Sequence, residues 1–176
     1  VKLLVSHLIG CGIQPRPKLD DKALRADILT LWNDWTAEAD YDGVLGFCAL
    51  QSQVTRARYE SGEVFCRLQW RPKSAGLSVP LQIQLLEADL LPLGHNQATP
   101  SIRQGIERSN GQRVAYWFYR EHPGNRWIVP SVGTLSRVPA AEILHHYLPD
   151  RPSQLRGAPE GISTLYRARS VCGTHG

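Results

Sequence analysis

Apolar residues in the first third of the chain recur at helical spacing. Val1–Ile9 carries them on nearly every side, and Gly10 and Gly12 follow as a helix stop. The segment therefore reads as the last two turns of a helix. Gln14-Pro15-Arg16-Pro17 is extended, because each proline fixes its own φ and keeps its predecessor out of the helical region. Asp20 and Asp21 are placed to cap a second helix, whose residues Leu24, Ile28, Leu31, Trp32 and Trp35 share one face. Beyond Asp42-Gly43 a third helix is expected from Val44 to about Tyr59. Val44, Phe47, Cys48, Gln51, Val54 and Arg58 share its face, and Ser61-Gly62 ends it.

The period then changes from helical to two. Val64, Cys66, Leu68 and Trp70 alternate with Phe65, Arg67, Gln69 and Arg71, the pattern of a half-buried strand. Leu81–Leu85 alternates again after a loop, so antiparallel pairing across that loop is expected. Leu90–Pro100 is irregular. Ile102–Arg108 and Arg113–Tyr119 flank Asn110-Gly111, a strong hairpin signal because both turn positions tolerate positive φ. Val114–Tyr119 is apolar on both faces, which implies a central strand or one covered by helices or a neighbouring subunit. His122-Pro123-Gly124 turns the chain, and Trp127–Arg137 is poorly patterned. Ala140–Tyr147 fits a short helix or a strand equally. Asp150–Pro159 is a loop, and a last helix is expected near Glu160. Helices followed by antiparallel strands predict an α+β fold.

The 176 residues suffice for one domain, or one and a half. They contain no methionine, even at position 1, which points to a processed N-terminus or, in better accord with the opening helical turns, to an internal piece of a longer protein. No apolar run approaches the length needed to span a bilayer, and no basic leader precedes the apolar N-terminus. The net charge is +4, concentrated beyond residue 100, where ten Lys/Arg stand against five Asp/Glu. Sixteen of the twenty basic residues are arginine, the better donor to phosphate and carboxylate. Arg137, Arg151, Arg156, Arg167 and Arg169 form the most basic stretch. They fit DNA phosphates, a partner's carboxylates or, as the plainest reading, solvated loop ends.

Catalytic chemistry finds little support. Cys11, Cys48, Cys66 and Cys172 are widely spaced without a CxxC, which suggests reduced, mostly buried thiols and the cytoplasm as default compartment. His7, His95, His122, His145, His146 and His175 include no HxxxH. Adjacent His145 and His146 project apart on a helix or a strand, so one packed and one surface histidine is the expectation, with no metal. There is no GxSxG nucleophile elbow, and Gly10-Cys11-Gly12 lacks the third glycine and the lysine of a phosphate loop. No enzymatic constellation and no cofactor are expected.

Several blocks, taken in order, resemble the lambda-type portal proteins of tailed bacteriophages. They begin with Ile9–Pro15, Leu31-Trp32-Asn33-Asp34-Trp35 and Asp40-Tyr41-Asp42-Gly43, and continue with Ser61-Gly62-Glu63-Val64-Phe65, Gln82–Asp89, Ile102–Glu107 and Gly111–Trp117. They close with His122-Pro123-Gly124, Val138–His145 and Arg151–Pro159. Gly10, Gly12, Trp32, Gly43, Gly62, Pro123, Gly124, His145, Gln154, Arg156, Gly157 and Pro159 are the motif residues, with structural roles to be assigned. The resemblance covers residues 1–160 and implies the wing-like α+β region of such a protein; 161–176 reads as a divergent tail, from a truncated or frameshifted prophage gene or a fragment boundary.

That resemblance implies a structural role: a homo-oligomeric ring at one capsid vertex, through which double-stranded DNA is packaged and ejected. Its implied partners are terminase, capsid and head-completion proteins, with no membrane. Its implied location is the virion, after assembly in the bacterial cytoplasm. The alternative from the residues is a monomeric nucleic-acid-binding domain using the Arg-rich C-terminal half.

Overall fold

The computed structural model describes residues 1–124 and 135–158. Helix α1 (Lys2–Ile9) stops at Gly10, whose N–H returns to the Ser6 carbonyl. Helix α2 (Lys22–Glu38) starts under Asp21, whose carboxylate accepts from the N–H groups of Ala23 at 2.8 Å and Leu24 at 3.2 Å. Two donors left without partners by the helix geometry are thereby satisfied. Helix α3 (Phe47–Ser61) follows a loop organised by the buried Asp40, which accepts from the N–H groups of Val44 at 2.9 Å and Leu45 at 2.8 Å.

Seven strands complete the described chain: β1 (Glu63–Trp70), β2 (Leu81–Glu87), β3 (Ile102–Arg103), β4 (Ile106–Ser109), β5 (Gln112–Tyr119), β6 (Leu135–Pro139) and β7 (Ile143–Tyr147). They form a three-stranded sheet ordered β2-β1-β7 and a four-stranded sheet ordered β3-β4-β5-β6, antiparallel at every step of the latter. The fold is α+β. In the four-stranded sheet, β5 is an interior strand between β4 and β6, and the consecutive residues Ala115 and Tyr116, which point to opposite faces, are both buried.

The hairpin at Asn110-Gly111 has φ of 50° and 82°, as a mirror-image two-residue turn requires. A second turn of this kind, Gln104-Gly105 with φ of 53° and 76°, divides the expected run Ile102–Arg108 into β3 and β4. Ala140–Tyr147 resolves into a single short helical turn, Ala140–Glu142, followed by β7. Of the poorly patterned Trp127–Arg137, the end belongs to β6. The helix expected near Glu160, the tail 161–176, and with them Pro159, Arg167, Arg169, Cys172 and His175, lie outside the described residues.

The chain divides into two compact units, Val1–Arg56 with Arg67–Leu85, and Ala57–Cys66 with the described residues from Leu86 on. In the first, Trp35, Ala39 and Leu50 are buried among Trp32, Leu45, Phe47, Val79, Ile83 and Leu85. The Trp32, Trp35 and Phe47 rings lie 5.0–5.4 Å apart, and the Trp35 indole N–H donates to the Leu81 carbonyl at 2.7 Å. In the second, Phe65, Leu91, Ile106, Tyr116, Phe118, Val138 and Ile143 form the core.

Three burial expectations are corrected. Leu24, Ile28 and Leu31 on the apolar face of α2 are 48 %, 37 % and 46 % exposed, because only the last turns of that helix reach the core at Trp35. On α3 the buried residue is Leu50, so the contact edge is turned away from Cys48, which is exposed. On β1, Phe65 is fully buried although alternation assigns it to the polar side, while Trp70 is exposed. Glu63, Val64 and Phe65 are all buried in succession, so the strand is covered on both faces at its start and open at its end. Among the described residues, no helix is long and apolar enough to cross a membrane.

Candidate functional site

Glu63 opens β1 directly after Gly62 and is only 2 % exposed. A carboxylate so placed must find charged or polar partners, since desolvation alone would drive it to protonate. It finds four donor groups. Oε1 receives Nε and Nη2 of Arg156, a two-pronged grip. Oε2 accepts from His145 Nε2 and from the Gly157 N–H, each at 2.8 Å. Burial acts to raise the Glu63 pKa, but the hydrogen bonds from His145 and Arg156 and the Arg156 charge outweigh it and hold the carboxyl below its ordinary 4.5.

His145 comes from β7 and its ring stacks 4.3 Å from Phe65 and 4.4 Å from Tyr147, centroid to centroid. Its Nδ1 lies 2.8 Å from Nη1 of Arg113. A guanidinium only donates, so Nδ1 is the acceptor and the single ring proton sits on Nε2, aimed at Glu63. Burial first, then the charges of Arg113 and Arg156, keep the imidazole pKa below 6.5 against the pull of Glu63.

The two arginines extend the network. Arg113, on β5, donates from Nη2 to the Tyr147 hydroxyl at 2.7 Å and to the Leu155 carbonyl at 3.1 Å, and from Nη1 to the Tyr116 hydroxyl at 3.3 Å. Arg156 donates to the carbonyls of Ala88 at 2.9 Å, Leu91 at 3.0 Å and Gln104 at 3.3 Å. Gln154 closes the loop on itself: Oε1 accepts from the Asp150 N–H at 2.8 Å, and Nε2 donates to the Arg156 carbonyl at 2.7 Å. Residues 148–157 thus form a strap within the second unit, clasped by the buried Glu63 carboxylate and by Arg113.

Five of the motif residues meet in this clasp: Gly62, His145, Gln154, Arg156 and Gly157. The others lie elsewhere. Gly10 caps α1. Gly12 lies against α3 at Cys48, where the next N–H, of Ile13, donates to Gln51 Oε1 at 3.0 Å. Trp32 belongs to the aromatic cluster, and Gly43 to the Asp40 loop. Pro123 and Gly124 form the turn beyond β5, where the Gly124 N–H donates to His122 Nδ1 at 3.0 Å. Glu63 and Arg113, two of the three charged groups of the clasp, are not singled out by the sequence; Arg156 is. The available signal was an acid at the mouth of an apolar strand, where burial demands a counter-charge.

The arginine and cysteine expectations change as well. Arg156 is not a solvated loop-end residue, because Glu63 and three carbonyls enclose it. Arg137 grips Glu107 with Nε at 2.8 Å and Nη2 at 2.9 Å, beside the Trp117 indole N–H at 2.9 Å. Arg151 is exposed. Among the described thiols, Cys11 and Cys48 are exposed rather than buried, whereas Cys66 is enclosed enough for burial to push its pKa up to about 11. His145 is packed and His146 exposed. Among the described residues, no group of three or more His, Cys, Asp or Glu is placed to hold a metal ion.

A carboxylate whose oxygens are both engaged by the chain's own donors holds segments together; it offers no open position for substrate. Fold and site together define an α+β module whose second unit is held by a buried ionic clasp. The chain belongs to the lambda family of phage portal proteins, whose family model matches residues 1–174. It is 33 % identical over 190 residues to a probable portal protein of Halomonas phage phiHAP-1, an alignment covering 98 % of this chain and 36 % of that relative. The chain therefore spans little more than a third of that relative's length.

Proposed function

We propose that this chain is the wing-like part of a portal ring: identical copies pack side by side at one capsid vertex, and double-stranded DNA is packaged and ejected through the ring. Terminase, capsid and head-completion proteins are the partners of that assembly, which forms in the bacterial cytoplasm and ends in the virion of a tailed phage or prophage. The work of this chain is structural, the transmission of load between neighbours.

Family membership along nearly the whole chain carries this reading. The exposed apolar side chains Leu3, Leu8, Leu24, Ile28 and Leu31 support it, since such surface commonly marks association. A monomeric DNA-binding domain is disfavoured by the commitment of Arg113, Arg137 and Arg156 to internal acceptors. Negative-stain imaging or native mass spectrometry of the full-length parent tests the proposal. Closed rings support it, and a strictly monomeric parent with salt-sensitive DNA affinity overturns it.

A further inference from the structure

Among the described residues, His145 is the member of the clasp whose ordinary pKa falls within the physiological range. Both of its ring nitrogens are committed, Nε2 to Glu63 and Nδ1 to Arg113, each at 2.8 Å. The charged and titratable groups facing the ring are Glu63 from β1, Arg113 and Tyr116 from β5, Tyr147 on its own strand and Arg156 from the strap. With Glu63 ionised, the two guanidiniums already leave the cluster one positive charge in excess.

A proton arriving at Nδ1 removes the acceptor that Arg113 uses and sets N–H against N–H. The Glu63–His145 contact gains from that proton, but Arg113 must withdraw. Arg113 is also the donor to the Leu155 carbonyl at 3.1 Å and to the Gln154 carbonyl at 3.4 Å. We propose that residues 150–155 are an acid-loosened loop: protonation of His145 displaces Arg113 from the Leu155 and Gln154 carbonyls and leaves the loop more weakly held, by Tyr147 and the Gln154 side chain, while Arg156 and Gly157 stay anchored on Glu63. The surface that the loop presents is thereby coupled to pH, independently of what the chain assembles with.

The test follows two observables by NMR in the full chain between pH 7.5 and 5. One is the ¹⁵N shift of His145 Nδ1, which reports its protonation. The other is hydrogen exchange, corrected for its intrinsic pH dependence, at the Asp150 and Arg151 amides, which donate to Gln154 Oε1. Amides of the β4–β5 hairpin serve as reference. Protection of Asp150 and Arg151 is expected to fall together with His145 protonation, by up to about tenfold per pH unit for loosening linked to one proton. The hairpin amides should hold. In His145→Gln, which keeps a donor and an acceptor without titrating, protection should stay level across the range. Loop protection that survives His145 protonation in the wild type overturns the proposal, as does an unchanged pH dependence in the variant. Should the variant fail to fold, the coincidence or separation of the two wild-type curves decides alone.

Discussion

Gly157 and Gly62 meet backbone to backbone. A Cβ built on Gly157 would stand 2.1 Å from the Gly62 carbonyl oxygen and 2.8 Å from the Glu63 Cβ, distances no side chain tolerates. The strap can seat on Glu63 only because residue 157 has no side chain. Gly157→Ala is therefore expected to destabilise the chain by about 1–3 kcal/mol, the usual range for overpacking. Gly94→Ala, at a position with nothing within 4 Å, should change it by less than about 0.5 kcal/mol. Urea denaturation of the two variants distinguishes these outcomes.

Stability is expected to fall as the solution is acidified. The folded state lowers the pKa values of both His145 and Glu63, so the unfolded chain binds more protons as the pH drops. The His145 contribution is complete above its ordinary 6.5 and is lost below it. The Glu63 contribution is lost below its ordinary 4.5. Each proton limits the slope to about 1.4 kcal/mol per pH unit. Urea midpoints measured from pH 8 to 5 should decline below about pH 6.5, the ordinary histidine value. His145→Gln should flatten that decline, and a midpoint that rises on acidification would oppose the assignment.

The thiols should separate kinetically. With its pKa at about 11 against an ordinary 9.0, Cys66 carries about 100-fold less thiolate at pH 8 than a free thiol, before any steric shielding. Peptide mapping after brief alkylation of the native chain should find Cys11 and Cys48 modified and Cys66 protected until urea is added. Equal labelling of Cys66 would place it at the surface.

Leu24 and Ile28 are left 48 % and 37 % exposed on α2. Replacing both by serine should alter the stability of this chain by less than about 1 kcal/mol, as expected for side chains outside the core. If this face is used between neighbours, the same pair of changes in the full-length parent should shift the population from rings towards free subunits in native mass spectra. Rings formed in undiminished yield would remove the face from the proposed contact.

The elements whose causes are local could be read from sequence. Asn110-Gly111 carries its turn geometry in two residues, and Asp21 caps α2 at short range. Burial was harder to read, because it depends on what packs against an element. Leu24, Ile28 and Leu31 obey a helical period yet meet no core, and Phe65 is buried through a second covered face. The clasp was hardest of all. Glu63 is separated from His145 by 82 positions and from Arg156 by 93, so spacing along the chain says nothing of their meeting. The family resemblance marked His145, Gln154, Arg156 and Gly157 for attention, but only the fold supplies the carboxylate that unites them.

A double-mutant cycle between Glu63 and Arg156 tests most directly that buried charge here serves cohesion. Glu63→Gln and Arg156→Met should each cost about 3–5 kcal/mol in urea denaturation, since each strands a buried partner. The double variant should cost about 2–3 kcal/mol less than the sum of the two single ones, which is the coupling between the pair. Single effects below about 1 kcal/mol that simply add, as for a solvated surface pair, would contradict the account.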